Sequence, residues 1–295
     1  MRRVVAIGLA GYDILGVVPA YPERDTKVRL VDVAFAGGGP AATAAAAAAR
    51  LGAPTAFVGR VGDDDLGRAI LRGLEEVGVD VSGTVVAPGR SPLSFVAIDR
   101  GDASRTVFHA PTDVAPLRPE QIDWRCLEGA GVLLIDGREV AVQREAAERA
   151  RRAGATVLLD AERIDDDVRS LMAVTDVCVA SEKLGRALAA DDDAALAALA
   201  ALGPRDVVIT LGARGSIGRA AGGPIVRQPI FAVDAVDTTG CGDVYHGAYA
   251  VALLRGLDLA ACMRMSAGAA ALKCRALGGR SALPTSAELD ALLRL

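Results

Sequence analysis

Aromatic residues are nearly absent from this chain of 295 residues, at 3% of the total. Their scarcity makes the core aliphatic and excludes the stacking platform on which single-stranded nucleic acid is usually held. No excess of basic residues is present either: the net charge is −4, so neither nucleic acid nor an anionic membrane is generally attracted. No apolar run reaches the ~20 residues of a membrane span, and Met1-Arg2-Arg3 enters an apolar run directly, without the pattern of a signal peptide. The five cysteines (Cys126, Cys178, Cys241, Cys262, Cys274) have neither CxxC nor metal-ligand spacing, which predicts free thiols in a reducing, cytoplasmic setting. Internal repeats of 20–50 residues are also missing.

What remains is rich in alanine, glycine and aliphatics. Val4–Ile7, Val132–Ile135, Thr156–Leu159, Val177–Val179 and Val207–Thr210 are short apolar runs bounded by turns. Helical patterns lie between them, over 140–153, 168–173 and 184–202. This order predicts an α/β domain with a mostly parallel sheet and helices on both faces. Ile217–Ala220 and Ile225-Val226 predict a short hairpin. Two stretches break the pattern. Residues 14–36 and 82–112 are rich in β-branched residues and turns, with a hairpin turn at Asp99-Arg100-Gly101-Asp102. Thr84-Val85-Val86, Leu93–Ile98 and Thr106–His109 are its strands, and Lys27 stands at the start of another that runs on to Phe35. These pieces are expected to pair as a small β-sheet lid on a core formed by 1–13, 37–81 and 113–295. An apolar sheet of that size needs a cover, most simply a second copy, so a homodimer is expected.

Two glycine-rich turns precede helices. Gly37-Gly38-Gly39-Pro40 leads into an alanine helix slim enough for a neighbouring backbone to approach closely. Asp237-Thr238-Thr239-Gly240-Cys241-Gly242-Asp243 lies between the strand-like Ile230–Val233 and an apolar helix from about Val244 to Leu254. Backbone N–H groups and the helix dipole converge at such a turn, and phosphate is the usual ligand. Asp243 beside an anion site is then either a helix cap or a base that takes a proton from an attacking hydroxyl. Asp13, near Gly8 and Gly11, is a ligand for a polar group or a turn residue. Asp63-Asp64-Asp65 invites a metal, although acids at a helix start are ordinary.

Gly37-Gly38 heading the helix that ends Ala49-Arg50-Leu51-Gly52 resembles the first signature of the ribokinase-like (PfkB) carbohydrate kinases. Val58-Gly59-Arg60-Val61-Gly62-Asp63-Asp64 resembles the segment that follows, and Asp237–Asp243 the second signature, with Cys241 where alanine is usual. The resemblance implies an ATP- and Mg²⁺-dependent sugar kinase. Asp243 would be the base, and Gly240, Cys241 and Gly242 the anion hole. Asp13, Gly37 and Gly38 would hold sugar hydroxyls, and Thr210, Gly212, Arg214 and Gly215 would line the nucleotide site. Asp237 would be a ligand for K⁺, as in some members. Ala42 replaces an asparagine of the first signature. Ser181 and Leu184 replace the asparagine and glutamate of an element linked to Mg²⁺, which implies an ion held mainly through water and ATP.

Gly37–Ala44, Ser181-Glu182, Gly242–Gly247, Ala270–Cys274 and Gly278-Gly279-Arg280 look like sulfofructose kinases within that family. The implied sulfonate contacts fall on Lys27, His109 and Arg138, with His109 in place of an asparagine. Arg138 offers a fork and Lys27 a point charge to the anion; both would otherwise be solvated surface charges. Fructose 6-phosphate, fructose, ribose and nucleosides are the alternative substrates. A silent sugar sensor is the alternative without catalysis, against which the retention of Asp243 weighs.

Overall fold

The structure is a computed structural model that describes residues 2–101 and 104–294; Asp102, at the expected hairpin turn, lies outside them. The elements in chain order are β1 (Arg3–Ile7), β2 (Gly11–Val18), β3 (Asp32–Gly38), α1 (Pro40–Arg50), β4 (Thr55–Val58), β5 (Arg60–Gly62), α2 (Asp65–Glu75), β6 (Val79–Asp80), β7 (Val85–Ala87), β8 (Leu93–Asp99), β9 (Arg105–Ala110) and β10 (Ala130–Ile135). The second half continues with α3 (Val140–Arg152), β11 (Thr156–Ala161), α4 (Asp166–Met172), β12 (Val177–Ser181), α5 (Glu182–Leu188), α6 (Asp192–Ala200), β13 (Asp206–Thr210), β14 (Ser216–Arg219), β15 (Ile225–Gln228), α7 (Cys241–Leu254), α8 (Leu259–Lys273) and α9 (Ser286–Leu293).

The main sheet has nine strands in the order β15-β14-β13-β12-β11-β10-β1-β4-β6, parallel except for the β14–β15 hairpin. Its strands are buried on both faces, as expected of continuous apolar runs in a parallel sheet. The residues of β1 alternate between two cores. Val4 and Ala6 pack with α1, α7 and α8, whereas Val5 and Ile7 pack with α3 and residues of α4–α6. On the first face Gly247 of α7 lies against α1 so closely that a Cβ there would stand 2.3 Å from the Ala44 carbonyl oxygen. The alanine helix therefore admits a neighbouring backbone, as its lack of side-chain bulk predicts.

The small sheet has four strands, in the order β3-β2-β8-β9. Its inner face contributes Leu15, Ala36, Val96 and Ile98 to a third cluster that also touches Leu277. Several sequence expectations are corrected here. Val85–Ala87 does not join this sheet but pairs in parallel with β5; a run of valines specifies a strand without specifying its neighbour. The strand expected from Lys27 begins only at Asp32, so Lys27 stands in an exposed loop. Asp13 lies within β2 rather than in a turn. Ile230–Val233 is not a strand. That segment leaves the edge hairpin for α7, and Ile230 is exposed.

Candidate active site

The carboxyl ends of the parallel strands, the small sheet and the amino ends of α1 and α7 enclose a common cleft. Gly240 is the N-cap of α7 and adopts a left-handed conformation, φ 75°. A Cβ there would stand 2.8 Å from the Cα of Gly279, so the loop needs glycine for both conformation and space. Asp243 is the third residue of α7. Burial raises its pKa to about 7.

Among the described residues, the N–H groups of Gly240, Gly242 and Asp243 have no protein acceptor, and no side chain caps the helix. They form the free donor cluster that a helix amino terminus offers an anion. Cys241 differs from its expected part: its N–H is taken by the Thr238 carbonyl at 3.2 Å. The thiol of Cys241 points toward the Asp237 carbonyl and Cys274, where burial and Cys274 keep it protonated.

Asp237 braces this turn. Its Oδ1 accepts from the N–H and hydroxyl of Thr239 at 2.8 and 2.7 Å, and its Oδ2 from the N–H of Gly278 at 2.8 Å. The ammonium of Lys273, 0% exposed, donates to the Asp237 carbonyl at 3.0 Å and stands 3.7 Å from Oδ2. A positive charge that belongs to the protein therefore occupies the place suggested for K⁺, and the donor set does not fit an added cation.

The wall of the cleft on the small sheet is built by cross-strand register. Ala36, Asp13, Ser94 and His109 stand opposite one another across β3, β2, β8 and β9, on the inner face of the small sheet. Burial raises the pKa of Asp13, while a hydrogen bond from Ser94 and the charges of Arg280 and His109 act against the rise. Gly38 and Gly37 are explained by their neighbours. A Cβ on Gly38 would lie 2.3 Å from Oδ2 of Asp13, and one on Gly37 2.4 Å from Nη1 of Arg280.

Arg280 was quoted above only within a resembling segment, yet it ties the first turn of α1 to β3. It donates from Nη2 to the Gly38 carbonyl at 2.6 Å and from Nε to Thr43 Oγ1 at 3.2 Å. Its Nη1 is buried without a hydrogen-bond partner among the described residues. Arg105 of β9 reaches the Asp237–Asp243 turn as well, donating to Thr238 Oγ1 at 2.6 Å. Neither arginine carries a signal in its local sequence, because each is defined by a partner more than 100 residues away.

Arg138 follows β10 and pairs with Glu162 at 2.9 Å, both half-exposed. The structure thus brings Asp13, His109, Arg138 and Asp243 to one cleft but leaves Lys27 on the exposed loop. Beneath them, the buried Asp136 accepts from the N–H groups of Leu9 at 2.7 Å and Arg138 at 3.0 Å and from Gln143 at 2.8 Å, tying the turns after β1 and β10 together.

Thr210 ends β13, with its hydroxyl on the Ala180 carbonyl at 3.3 Å. Gly212 and Gly215 follow at φ 58° and 86°. Arg214 pairs with Glu182, which also pairs with Arg186. Ser181 caps α5 and Leu184 is buried. The acidic triplet is structural: Asp64 caps α2 by accepting from Gly67, and it also accepts the hydroxyl and N–H of Ser91. No group of three or more potential metal ligands occurs among the described residues, and none of their helices is long and apolar enough to cross a membrane.

The description "pfkB family carbohydrate kinase" matches residues 1–286. The ATP-dependent ribose-1-phosphate kinase of Halopiger xanaduensis is 30% identical, over 99% of this chain and 98% of that one. The ribokinase of Bacillus subtilis is also 30% identical, over 99% and 100%. The structure of Arabidopsis thaliana ribokinase complexed with ribose and ATP superposes with a TM-score of 0.86 at 26% identity, covering 100% of both chains. With both glycine-rich turns, Asp243 and the small sheet in place along nearly its whole length, the chain belongs to the pfkB family of carbohydrate kinases.

Proposed function

We propose that this ATP-dependent carbohydrate kinase acts on an anionic ketose, with 6-deoxy-6-sulfofructose, phosphorylated at its 1-hydroxyl, as the favoured substrate. The observation that carries the reading is the pairing of two kinds of group in one cleft. Asp243 and a free N–H cluster stand at its floor, and His109 in register with Asp13, together with Arg138, stands on its walls. Asp13 and the Gly37-Gly38 turn hold the sugar hydroxyls, and Asp243 accepts the proton of the attacking one. The N–H groups of Gly240, Gly242 and Asp243 receive the transferring phosphoryl. A well-aimed donor of this kind contributes about 3–4 kcal/mol. Thr210, Gly212 and Gly215 line the nucleotide side, with Arg214 near phosphate.

The family uses ATP with Mg²⁺, which when bound neutralises charge on the phosphates. With Ser181 committed to a cap, Leu184 apolar and Glu182 already paired, these residues offer the ion little direct ligation, and it would rely on the nucleotide and water. The pairing of Arg138 with Glu162 does not prevent an anion contact, because a half-exposed ion pair contributes only about 0–1 kcal/mol and a sulfonate can displace it. Lys27 then closes on the substrate from its loop.

The outer face of the small sheet is a row of Phe35, Ile14, Phe95 and Phe108, with Phe35 63% and Phe108 51% exposed. Such a face supports a homodimer through the lid. The relative named for ribose 1-phosphate gives weight to a second reading, a phosphorylated pentose.

Steady-state kinetics on 6-deoxy-6-sulfofructose, fructose 6-phosphate, ribose 1-phosphate, fructose and ribose in parallel test both readings. The highest kcat/KM is expected on an anionic sugar. A preference for neutral fructose or ribose overturns the proposal.

A further inference from the structure

Behind the catalytic turn, His246 and Asp160 are each only 5% exposed. Both ring nitrogens of His246 face oxygen atoms. Nδ1 is 2.6 Å from the Gly242 carbonyl; Nε2 is 3.3 Å from the Val179 carbonyl and 3.4 Å from Oδ1 of Asp160. A carbonyl has no proton to give, so Nδ1 must be the N–H donor to Gly242. A neutral ring then aims its Nε2 lone pair at a carbonyl and a carboxyl group. Toward Asp160 that arrangement is repulsive unless a proton lies between Nε2 and the carboxyl oxygen; the 3.3 Å approach of the Val179 carbonyl is then a packing contact rather than a hydrogen bond. An imidazolium beside a carboxylate would also supply one, at the cost of two buried charges.

We propose that Asp160 is a neutral carboxylic acid donating to Nε2 of His246, and that this uncharged pair, anchored through Nδ1 to the Gly242 carbonyl, positions the catalytic turn and keeps a second anion away from Asp243. The proposal rests on Asp243 being the base of the sugar-kinase reading. Burial acts in the same direction on both members, raising the pKa of Asp160 well above the ordinary carboxylate value and lowering that of His246.

The titratable groups around Asp243 are His246 from its own helix, Asp160 and Glu162 from β11 and the turn after it, Asp13 from β2 and Arg280 from the C-terminal segment. Around Asp160 stand Glu162, Asp136 and Arg138. Two ionised carboxylates cannot share so dry a floor cheaply, and one would retain a proton. With the proton held on Asp160, Asp243 is the one left free to act. His246 and Asp160 are positioning residues in this scheme, because neither touches the substrate.

The chain contains only two histidines, which makes a direct measurement simple. Long-range ¹H–¹⁵N correlation spectra of protein labelled with [¹⁵N]histidine, assigned with the His109→Gln variant, report the tautomer of His246. A proton on Nδ1, an accepting Nε2 and no titration between about pH 5.5 and 8.5 are expected. An Nε2–H tautomer, or a ring titrating near the ordinary histidine value, overturns the proposal. This spectrum is read whether or not a sugar is turned over, so failure of the kinase reading and failure of the proton assignment are distinguishable.

Kinetics supply the second arm. Asp160→Ala should lower kcat about tenfold to a hundredfold through a displaced turn, with KM for ATP held. Asp160→Asn, whose amide can still donate to Nε2, should restore most of that loss and leave the acid limb of kcat/KM where it is in the parent. A downward move of that limb in the Asn variant would mean that Asp160 had been an anion, and the proposal would fall.

Discussion

The catalytic turn and the small sheet face each other across the cleft, and they are built in opposite ways. The turn is set by backbone: Gly240 against Gly279, Gly247 against Ala44, and Asp237 filled by Thr239, Gly278 and Lys273. Asp237 at its centre is buried and fully paired, while the free N–H donors and Asp243 face the cleft. The sheet has a thin inner core of four buried residues, and every residue of β9 is exposed. A buried, fully paired network has one arrangement and is costly to disturb. An exposed strand places its side chains by register alone and tolerates exchange. Under the proposed function, the reaction falls to the rigid side and the choice of sugar to the adaptable one.

If this division is right, damage to the turn should cost rate on every substrate. Asp243→Asn is expected to lower kcat by about 10²–10⁴-fold with nucleotide binding retained, as read by steady-state kinetics and calorimetric titration of ATP. A comparable rate in the Asn variant would remove Asp243 as base. The same group sets the acid limb of the parent enzyme. Its pKa near 7 means that kcat/KM should fall as pH drops below about 7, where the base becomes protonated.

Linkage gives a second sign. The folded protein keeps this proton up to about pH 7, whereas the unfolded chain releases it near 3.8. Stability from this group is therefore full below pH 3.8 and lost as pH rises through 7. Asp243→Asn should then raise Tm at pH 8 and not at pH 4, as followed by calorimetry.

Gly38→Ala sits on the boundary between the two regions. Its methyl would displace Asp13, and a loss of about a hundredfold in kcat/KM is expected, with KM for ATP unchanged. Arg138→Ala should cost about tenfold in kcat/KM on the anionic sugar, the scale of a charge-assisted hydrogen bond, and much less on neutral fructose. Equal losses on both would dissolve the contrast between reaction and selection. The smallest expected effect on chemistry comes from Phe35→Asp, on the outer face. It should convert a dimer to a monomer in sedimentation at micromolar concentration while altering kcat only modestly.

The same contrast explains what could be read from sequence. The parallel strands were legible as apolar runs, and α7 as a long apolar helical pattern, because burial on both faces leaves an unbroken signature. The glycines of both turns were legible because backbone geometry restricts the residue type. Contacts between distant segments were not legible. Nothing near Arg138 in the sequence announces Glu162, and nothing near Arg280 announces Gly38 and Thr43. The extent of β3 differs from its sequence reading because Val28–Val31 has the composition of a strand, while among the described residues only the Val31 N–H bonds to β2, at the Val17 carbonyl. Asp160 carried a usable signal that went unread, a lone acid closing the apolar run of β11.

The contact of Gly247 with Ala44 has a consequence for redesign. It holds α1, behind the Gly37-Gly38 turn, against α7, behind the Asp237–Asp243 turn, with only the Ala47 methyl beside the backbone contact. The distance from acceptor to donor is then a property of two backbones, and no exchange of cleft side chains can lengthen it. A laboratory search for new acceptors is best confined to β9 and the 19–31 loop. Libraries placed on α1 or α7 would return mostly inactive protein.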